Sequence, residues 1–469
     1  MLDWLNWHPD IEPFFYVGML YVLIFVAAET LRAFGGCAVE TTRKFAHFSG
    51  GMVSLSFSYV FTSHWTILLL CLSFVSVIAL SKKFGGLSSI HAVERKSSGG
   101  IYYPFAIYAT FYVAMRLGKP HFYLISVLVL SISDALAALI GTTYGFKVYT
   151  VEEDKKSLEG SLIFFLSTFI IIHLGLLLLS DLGRMESVLS AVYIALLVTC
   201  FEALSLGGAD NLFIPFGTLY VLSKITTKPV SEMTYQITMM ITIFALTFLI
   251  SMPRRKFGIS GMLGVALFGY GAYSLLSPDW YIPVFIATIL LSFFDLFIQK
   301  KTHEEKRTNI RPIFYMQGAA ILWILIANLM IVLKVVDGRH LQAFFTPYLM
   351  SILASMSIVW AWRSQLQPNV DHENLPEWVV NANVFVRAFL LSIIFLPIHL
   401  WRDDGLIHWY STVTVFSGII FSDLLFWRVA KKFEGHWEGV LFFRMAMFII
   451  MAVSGVIFAG NILVYQVHL

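Results

Sequence analysis

The sequence predicts an all-α membrane protein, a polytopic transmembrane bundle of about sixteen helices, and three observations carry that prediction. Its 469 residues are 58% hydrophobic and only 13% charged, with a mean hydropathy of +0.77. Apolar stretches of about 20 residues, the length that crosses the hydrocarbon core, recur from one end of the chain to the other. Only short polar loops separate them, which excludes a soluble globular protein.

The first apolar segment, 13–33, follows the acidic and aromatic stretch Met1-Leu2-Asp3-Trp4. That stretch lacks the basic region and small-residue cleavage site of a secretory signal, so the segment is expected to remain as a span. Segments 46–62 and 65–81 come next, then 101–115 and 121–140 on either side of Leu117-Gly118-Lys119-Pro120. Beyond a polar loop lie 160–179, 187–204 and the short 211–222. The last is kept as a span because a re-entrant reading would invert everything after it. Segments 233–252, 259–276, 281–298, 313–333, 342–362, 383–400, 408–427 and 440–466 complete the set. Cys37, Cys71 and Cys200 are odd in number and far apart, which gives neither a disulfide framework nor zinc spacing.

Orientation follows from the cations, since cytoplasmic loops carry the Lys/Arg excess. With the amino terminus outside, Arg43-Lys44, Lys82-Lys83, Lys155-Lys156, Arg254-Arg255-Lys256, Lys300-Lys301 and Lys431-Lys432 all face the cytoplasm. The same alternation brings four polar loops to that face: Arg43 to His47, Glu94 to Gly100, Asp134 to Ser161, and Gly207 to Asn211. The active site is expected there, where nucleotides are, in a bacterial inner membrane or the endoplasmic reticulum.

The residue types in those loops suit a metal-bound polyphosphate. Asp134 closes an otherwise apolar segment, and a carboxylate at membrane depth is expensive enough to read as functional, most simply as a magnesium ligand. Its plainer reading is an interfacial helix-end acid. Glu159 is a second candidate metal ligand. Gly141 and Gly145 would let backbone amides approach phosphate oxygens, although a glycine at a helix end is more often a C-cap. Lys156, Ser157, Gly160 and Ser161 precede or open a helix, a ready anion site; the plainer reading of Lys155 and Lys156 is topological anchoring. Glu202 and Asp210 are carboxylates facing the same side, able to bind a further metal or to accept the proton of an attacking alcohol; the plainer reading of Asp210 is a cap on the following helix. Asn211 reads chiefly as a helix cap. Arg43 and Lys44, with His47 one turn on, suit a triphosphate clamp as well as an anchor.

Arg43-Lys44-x-x-His47, the Gly100-Ile101-Tyr102-Tyr103-Pro104 stretch, Ser133-Asp134 with Gly141 and Gly145, Lys156-Ser157-Leu158-Glu159-Gly160-Ser161, and Glu202 with Asp210-Asn211 and Pro215 stand in one order. Together, over roughly 30–225, they resemble the CTP-dependent lipid kinases, the family of dolichol, phytol and farnesol kinases and the CTP-dependent diacylglycerol kinase. The family motif often begins Gly-Asp where this chain has Ser133-Asp134. The resemblance implies transfer of the terminal phosphate of CTP, with a divalent cation such as Mg2+, to the hydroxyl of an isoprenoid alcohol or diacylglycerol. It also implies functional roles for Arg43, Lys44, Asp134, Gly141 and Lys156. The expected partners are a nucleotide, a lipid alcohol and membrane lipids, with no nucleic acid.

Two domains are expected, 1–230 carrying this chemistry and 231–469 a diverged copy of it. At an offset of 212, Arg43-Lys44-Phe45 falls on Arg255-Lys256-Phe257, and His91, Arg95, Ile101 and Tyr103 fall on His303, Arg307, Ile313 and Tyr315. Nothing near 355–382 corresponds to the Ser133 to Ser161 loop, so the second half is expected to be noncatalytic. Shared composition of basic loops and aromatic helices is the plainer account of the likeness. Two rival functions stand beside the kinase. A CTP:phosphatidate cytidylyltransferase would release pyrophosphate where a kinase releases CDP. A transporter or scaffold would expect paired, interrupted helices with polar residues at mid-membrane.

Overall fold

The computed structural model describes residues 9–84, 99–151, 154–252, 257–298, 310–336, 340–365, 377–402, 406–430 and 440–464. The cationic positions Arg95, Lys96, Arg254, Arg255, Lys256, His303 and Arg307 lie outside the described residues. Sixteen helices of three turns or more stand among the described ones. They are α1 (Ile11–Ala33), α2 (Val39–Ser54), α3 (His64–Phe84), α4 (Gly99–Arg116), α5 (Pro120–Tyr144), α6 (Leu158–Leu179), α7 (Arg184–Leu204), α8 (Asp210–Ile225), α9 (Val230–Ser251), α10 (Ile259–Leu275), α11 (Pro278–Ile298), α12 (Ile310–Val332), α13 (Gln342–Gln365), α14 (Glu377–Arg402), α15 (Leu406–Ala430) and α16 (Val440–Val464). Eleven of the helices are long and apolar enough to cross a membrane. The protein is a multi-pass helical membrane protein.

The helices fall into two compact units, 1–239 and 240–469, the boundary lying inside α9. In the first unit α5 and α7 are the most enclosed spans, with half or more of their apolar windows buried. Neighbouring helices cover about half of each, and in a bilayer lipid meets the rest, so both faces are apolar. In the second unit α13 plays that part, 89% of its window being buried. Phe344, Phe345, Tyr348, Leu349 and Leu353 on α13 pack into one core with Trp280, Trp323 and Phe426.

Two helices of the first unit are shorter than a span: α2 and α8, at 16 residues each. At 1.5 Å per residue each covers about 24 Å, less than the hydrocarbon core. The second element differs most from expectation. A segment predicted over 46–62 begins instead at Val39, ends at Ser54 and is followed by a single turn, Phe57–Val60. Hydropathy misses the first two turns because they read Glu-Thr-Thr-Arg-Lys, yet four of these five polar side chains find a partner. Thr42 donates to the Val39 carbonyl, Arg43 binds Glu40, and Lys44 reaches Asp134. Arg43 and Lys44 therefore sit within a helix, not in a loop.

Two further differences concern α5 and the segment after it. Asp134 does not close its helix: α5 runs on to Tyr144, and the carboxylate lies in its interior. The loop beyond is an antiparallel hairpin, β1 (Val148–Val151) with β2 (Asp154–Ser157), registered Tyr149 to Lys156 and Val148 to Ser157. β1 carries the alternation of a strand, with Tyr149 and Val151 buried and Val148 and Thr150 exposed, whereas in β2 Asp154 and Ser157 at its two ends are both buried.

Candidate active site

The first unit gathers its charges around α2. This helix is pinned by backbone carbonyls that accept from phenols on three neighbours. Tyr21 of α1 donates to Gly50 at 3.0 Å, Tyr103 of α4 to His47 at 3.3 Å, and Tyr123 of α5 to Ser54 at 2.7 Å. Gly50 and Gly51 make that closeness possible. A Cβ at Gly51 would stand 1.8 Å from the Ser131 Oγ, so only glycine lets α2 lie against α5 here.

On α5 the residues facing α2 belong to an unusual turn. Val129–Ser133 is π-helical, a local widening that is common at functional sites. It ends immediately before Asp134, which is 4% exposed. Lys44 Nζ donates to Asp134 Oδ2 at 2.5 Å, and His47 Nδ1 stands 3.8 Å from the same oxygen. The His47 ring packs on Tyr103 with centroids 4.3 Å apart. Both His47 nitrogens and the Ser131 and Ser133 hydroxyls are buried without a hydrogen-bond partner. Four orphaned polar atoms around one carboxylate are costly in a finished core, where such groups are almost always satisfied.

A second cluster lies at the hairpin. Lys156 Nζ donates to Glu202 Oε1 at 2.6 Å, to Ser205 Oγ at 3.2 Å and to the Glu202 carbonyl. Burial pulls the Lys156 ammonium down, and the carboxylates of Glu202 and Asp210 more than offset this, so its pKa is raised from the ordinary 10.5. Glu202 Oε2 is buried with no hydrogen-bond partner. Asp210 connects the clusters, standing within electrostatic reach of both Arg43 and Lys156. Arg43 forks onto Glu40 at 3.1 and 2.5 Å.

The remaining sequence candidates form the crossing of α5 and α6. A Cβ on Gly141 would lie 2.9 Å from Ser157 Oγ and 3.4 Å from Gly160 Cα, and one on Gly145 would lie 2.7 Å from Ser157 Cβ. These glycines bring the two helices to backbone contact. Ser157 caps α6, accepting from the Gly160 N–H at 3.1 Å, and donates to the Gly141 carbonyl at 3.4 Å. Ser161 pairs with the Tyr149 hydroxyl at 3.0 Å. Glu159 receives the Lys147 N–H on both oxygens, at 3.3 and 3.2 Å. Asn211 does not cap its own helix; its amide donates to the Gly99 carbonyl at 3.1 Å and ties α8 to α4.

The structure thus joins Lys44, His47 and Asp134, and separately Lys156 and Glu202. Gly141, Gly145, Ser157 and Gly160 make up the nearby helix crossing. Sequence reasoning missed Gly51, Ser131, Ser205 and Tyr149. Of these only the Gly50-Gly51 pair carries a signal, two adjacent glycines inside a helix one turn past His47. Among the described residues no group of three His, Cys, Asp or Glu side chains could enclose a metal. Asp134 fits a magnesium ion held mainly by phosphates, which asks the protein for only one or two carboxylates. Glu159 shares one N–H, that of Lys147, between its two oxygens, which leaves each oxygen further lone pairs.

Cations and carboxylates buried in a multi-pass helical bundle, with unsatisfied hydroxyl and imidazole groups beside them, define a membrane protein with an enzyme-like polar site. A phytol kinase from Synechocystis sp. is 28% identical to this chain over 198 residues, which are 42% of this chain and 84% of that protein. The likeness relates the chain to kinases of lipid alcohols and singles out no member among them. No family model and no solved structure matches it.

Proposed function

We propose that the first unit transfers the terminal phosphate of CTP to the hydroxyl of a lipid alcohol at the cytoplasmic face. The observation that carries the reading is the buried Lys44–Asp134 pair beside the unpartnered His47, Ser131 and Ser133, in a chain similar to a phytol kinase. Phosphoryl transfer asks a protein chiefly for positioning and charge neutralisation. A divalent cation riding on the nucleotide would supply charge neutralisation between phosphate oxygens, with Asp134 as its protein ligand. Lys44 would then be released from Asp134 and, with Arg43 and Lys156, balance the phosphates. The Ser131 and Ser133 hydroxyls and His47 would donate to oxygens that approach the π turn. Glu202 has one oxygen held by Lys156 and one unpaired, which suits it to take the proton of the acceptor hydroxyl; Asp210 sets the field between the two clusters.

Purified protein given Mg2+, each γ-labelled nucleotide in turn and a panel of lipid alcohols is expected to label a polyprenol-type alcohol best with CTP, releasing CDP. Pyrophosphate as the product would instead identify a cytidylyltransferase. Label transfer by Asp134→Asn at the wild-type rate would refute the site.

A further inference from the structure

At its end nearest the helices, the hairpin between α5 and α6 turns apolar side chains outward and polar ones inward. Tyr144, which ends α5, Phe146, Val148 and Leu158, which opens α6, are all exposed, Phe146 by 89%. Lys156 and Ser157 turn the other way, Lys156 onto Glu202 and Ser157 onto the Gly141 carbonyl. Toward the turn the outer face becomes polar, with Thr150 and Lys155 exposed. A strand pair in water covers its apolar positions, whereas a strand against lipid carries them outside and its polar ones inside.

Two observations bear on what the apolar end meets. The first is continuity. α6 exposes Leu158, Leu162, Leu166, Ile170, Leu174 and Leu178, every fourth residue along one ridge. On a membrane span such a ridge is the face that lipid covers. Its first member joins the hairpin directly: the Leu158 N–H donates to the Lys147 carbonyl at 3.0 Å, and Val148 pairs with Ser157. Val148 and Phe146 therefore prolong the ridge instead of starting a separate surface.

The second is depth. The 22 residues of α6 cover about 33 Å, close to the thickness of the hydrocarbon core, so its first turn lies where acyl chains meet headgroups. The hairpin flanks that turn and does not stand beyond it, because the Tyr149 hydroxyl meets Ser161, inside α6, at 3.0 Å.

We infer that the apolar end of the hairpin's outer face is seated in the bilayer, with Tyr144, Phe146 and Val148 among the upper acyl-chain carbons and Lys147 and Lys155 at the lipid phosphates. The charges suit that placement, since lysine stems lie along apolar surface while their ammonium groups reach anionic oxygens. Aromatic rings favour the same zone. The turn reads Glu152-Glu153 in sequence, which opposes insertion tip first and leaves the strand face as the surface that enters. The hairpin then parts two media, with lipid on one face and the Lys156–Glu202 pair on the other. The inference needs only that α6 spans the membrane, so it stands or falls apart from the kinase reading.

The test labels the whole wild-type protein in phosphatidylcholine vesicles with an aryl diazirine that partitions into the bilayer, in the presence of glutathione to scavenge carbenes in water. Residues 144–148 are expected to take label as Leu162 and Leu166 do. Phe146→Asp combined with Val148→Asp should cut the hairpin's label about tenfold, because two side chains lose their transfer from water, while the label on Leu166 holds. A nitroxide at Phe146→Cys, in a background of Cys37→Ser, Cys71→Ser and Cys200→Ser, should collide more with O2 than with an aqueous nickel chelate. Leu166→Cys is the lipid reference, and Asp181→Cys, exposed between α6 and α7, is the water reference. A hairpin without label beside a labelled α6, or nickel collisions at Phe146→Cys equal to those at Asp181→Cys, places this face in water and overturns the proposal. Coupling between nitroxides that vanishes on dilution with unlabelled protein puts a second copy of the chain on the face, and overturns it as well. The wild-type labelling decides the outcome if a variant fails to fold.

Discussion

Lys44 and Asp134 are 90 residues apart in sequence and 2.5 Å apart in the folded chain. Each is tolerable at membrane depth because the other is there. Asp134→Asn strands the ammonium, and breaking a buried pair in this way costs about 3–5 kcal/mol. Thermal unfolding should register that loss, and phosphotransfer should fall by roughly two to three orders of magnitude. Gly51→Ala tests the close approach of α2 to α5: the new methyl meets the Ser131 Oγ, an overpacking worth about 1–3 kcal/mol. Ser131→Gly added to it should recover most of the stability, a coupling that a double-mutant cycle measures. Lys156 makes a pH prediction. Its raised pKa means the Lys156–Glu202 pair is complete below the ordinary lysine value of 10.5 and fades only as pH climbs through the raised value. Alkaline unfolding of the wild type should therefore steepen above that point, and Lys156→Met should remove the steepening. Asp134 and Lys156 were legible from sequence because charge is rare in apolar surroundings. Ser131 was not, since a serine in a span ordinarily bonds its own helix.

At the scale of elements, short polar helices carry several of the first unit's charged and polar residues while long apolar ones surround them. α2 and α8 carry Lys44, His47, Asp210 and Asn211, and neither is long enough to span. A hydropathy window averages their polar turns away, which is why α2 was expected seven residues too late. At the other end of α1, Asp10 holds the turn that leads into α3. Its carboxylate, 1% exposed, accepts from the Thr62 and Ser63 amides, each at 2.9 Å, and from the Thr62 and Thr66 hydroxyls. Asp10→Ala leaves those donors unpaired at about 1–3 kcal/mol. Amide exchange at 62–66 should accelerate, with little change at α5.

The two units each have a buried polar centre, and the second one reads as structural. Asp423 of α15 is fully buried and accepts from Arg387 at 2.9 Å, Ser357 at 2.6 Å and Trp427 at 2.8 Å, tying three helices together. Arg387→Leu should destabilise strongly by leaving that carboxylate uncompensated. Adding Asp423→Leu should restore much of the loss, because an apolar pair replaces a buried ion pair at little cost. Chemical unfolding of both variants gives the comparison. The second half was expected to be a diverged copy without the Ser133 to Ser161 chemistry. The helices it contributes, α10 to α16, close around α13, and much of the offset match on which the duplication rested, including Arg255, Lys256 and His303, lies outside the described residues.

Composition and hydropathy alone determined the class of this protein and the number of its helices, because burial in lipid demands long apolar segments whatever surrounds them. Charge placement also marked Lys44, Asp134, Lys156 and Glu202, which the fold pairs in its interior. Which charge meets which was decided only by tertiary structure. Pairing across 90 residues depends on helix register, on the π turn before Asp134 and on a glycine that lets α2 close on the Ser131 side chain, and of these only the glycine pair leaves a local pattern in the sequence.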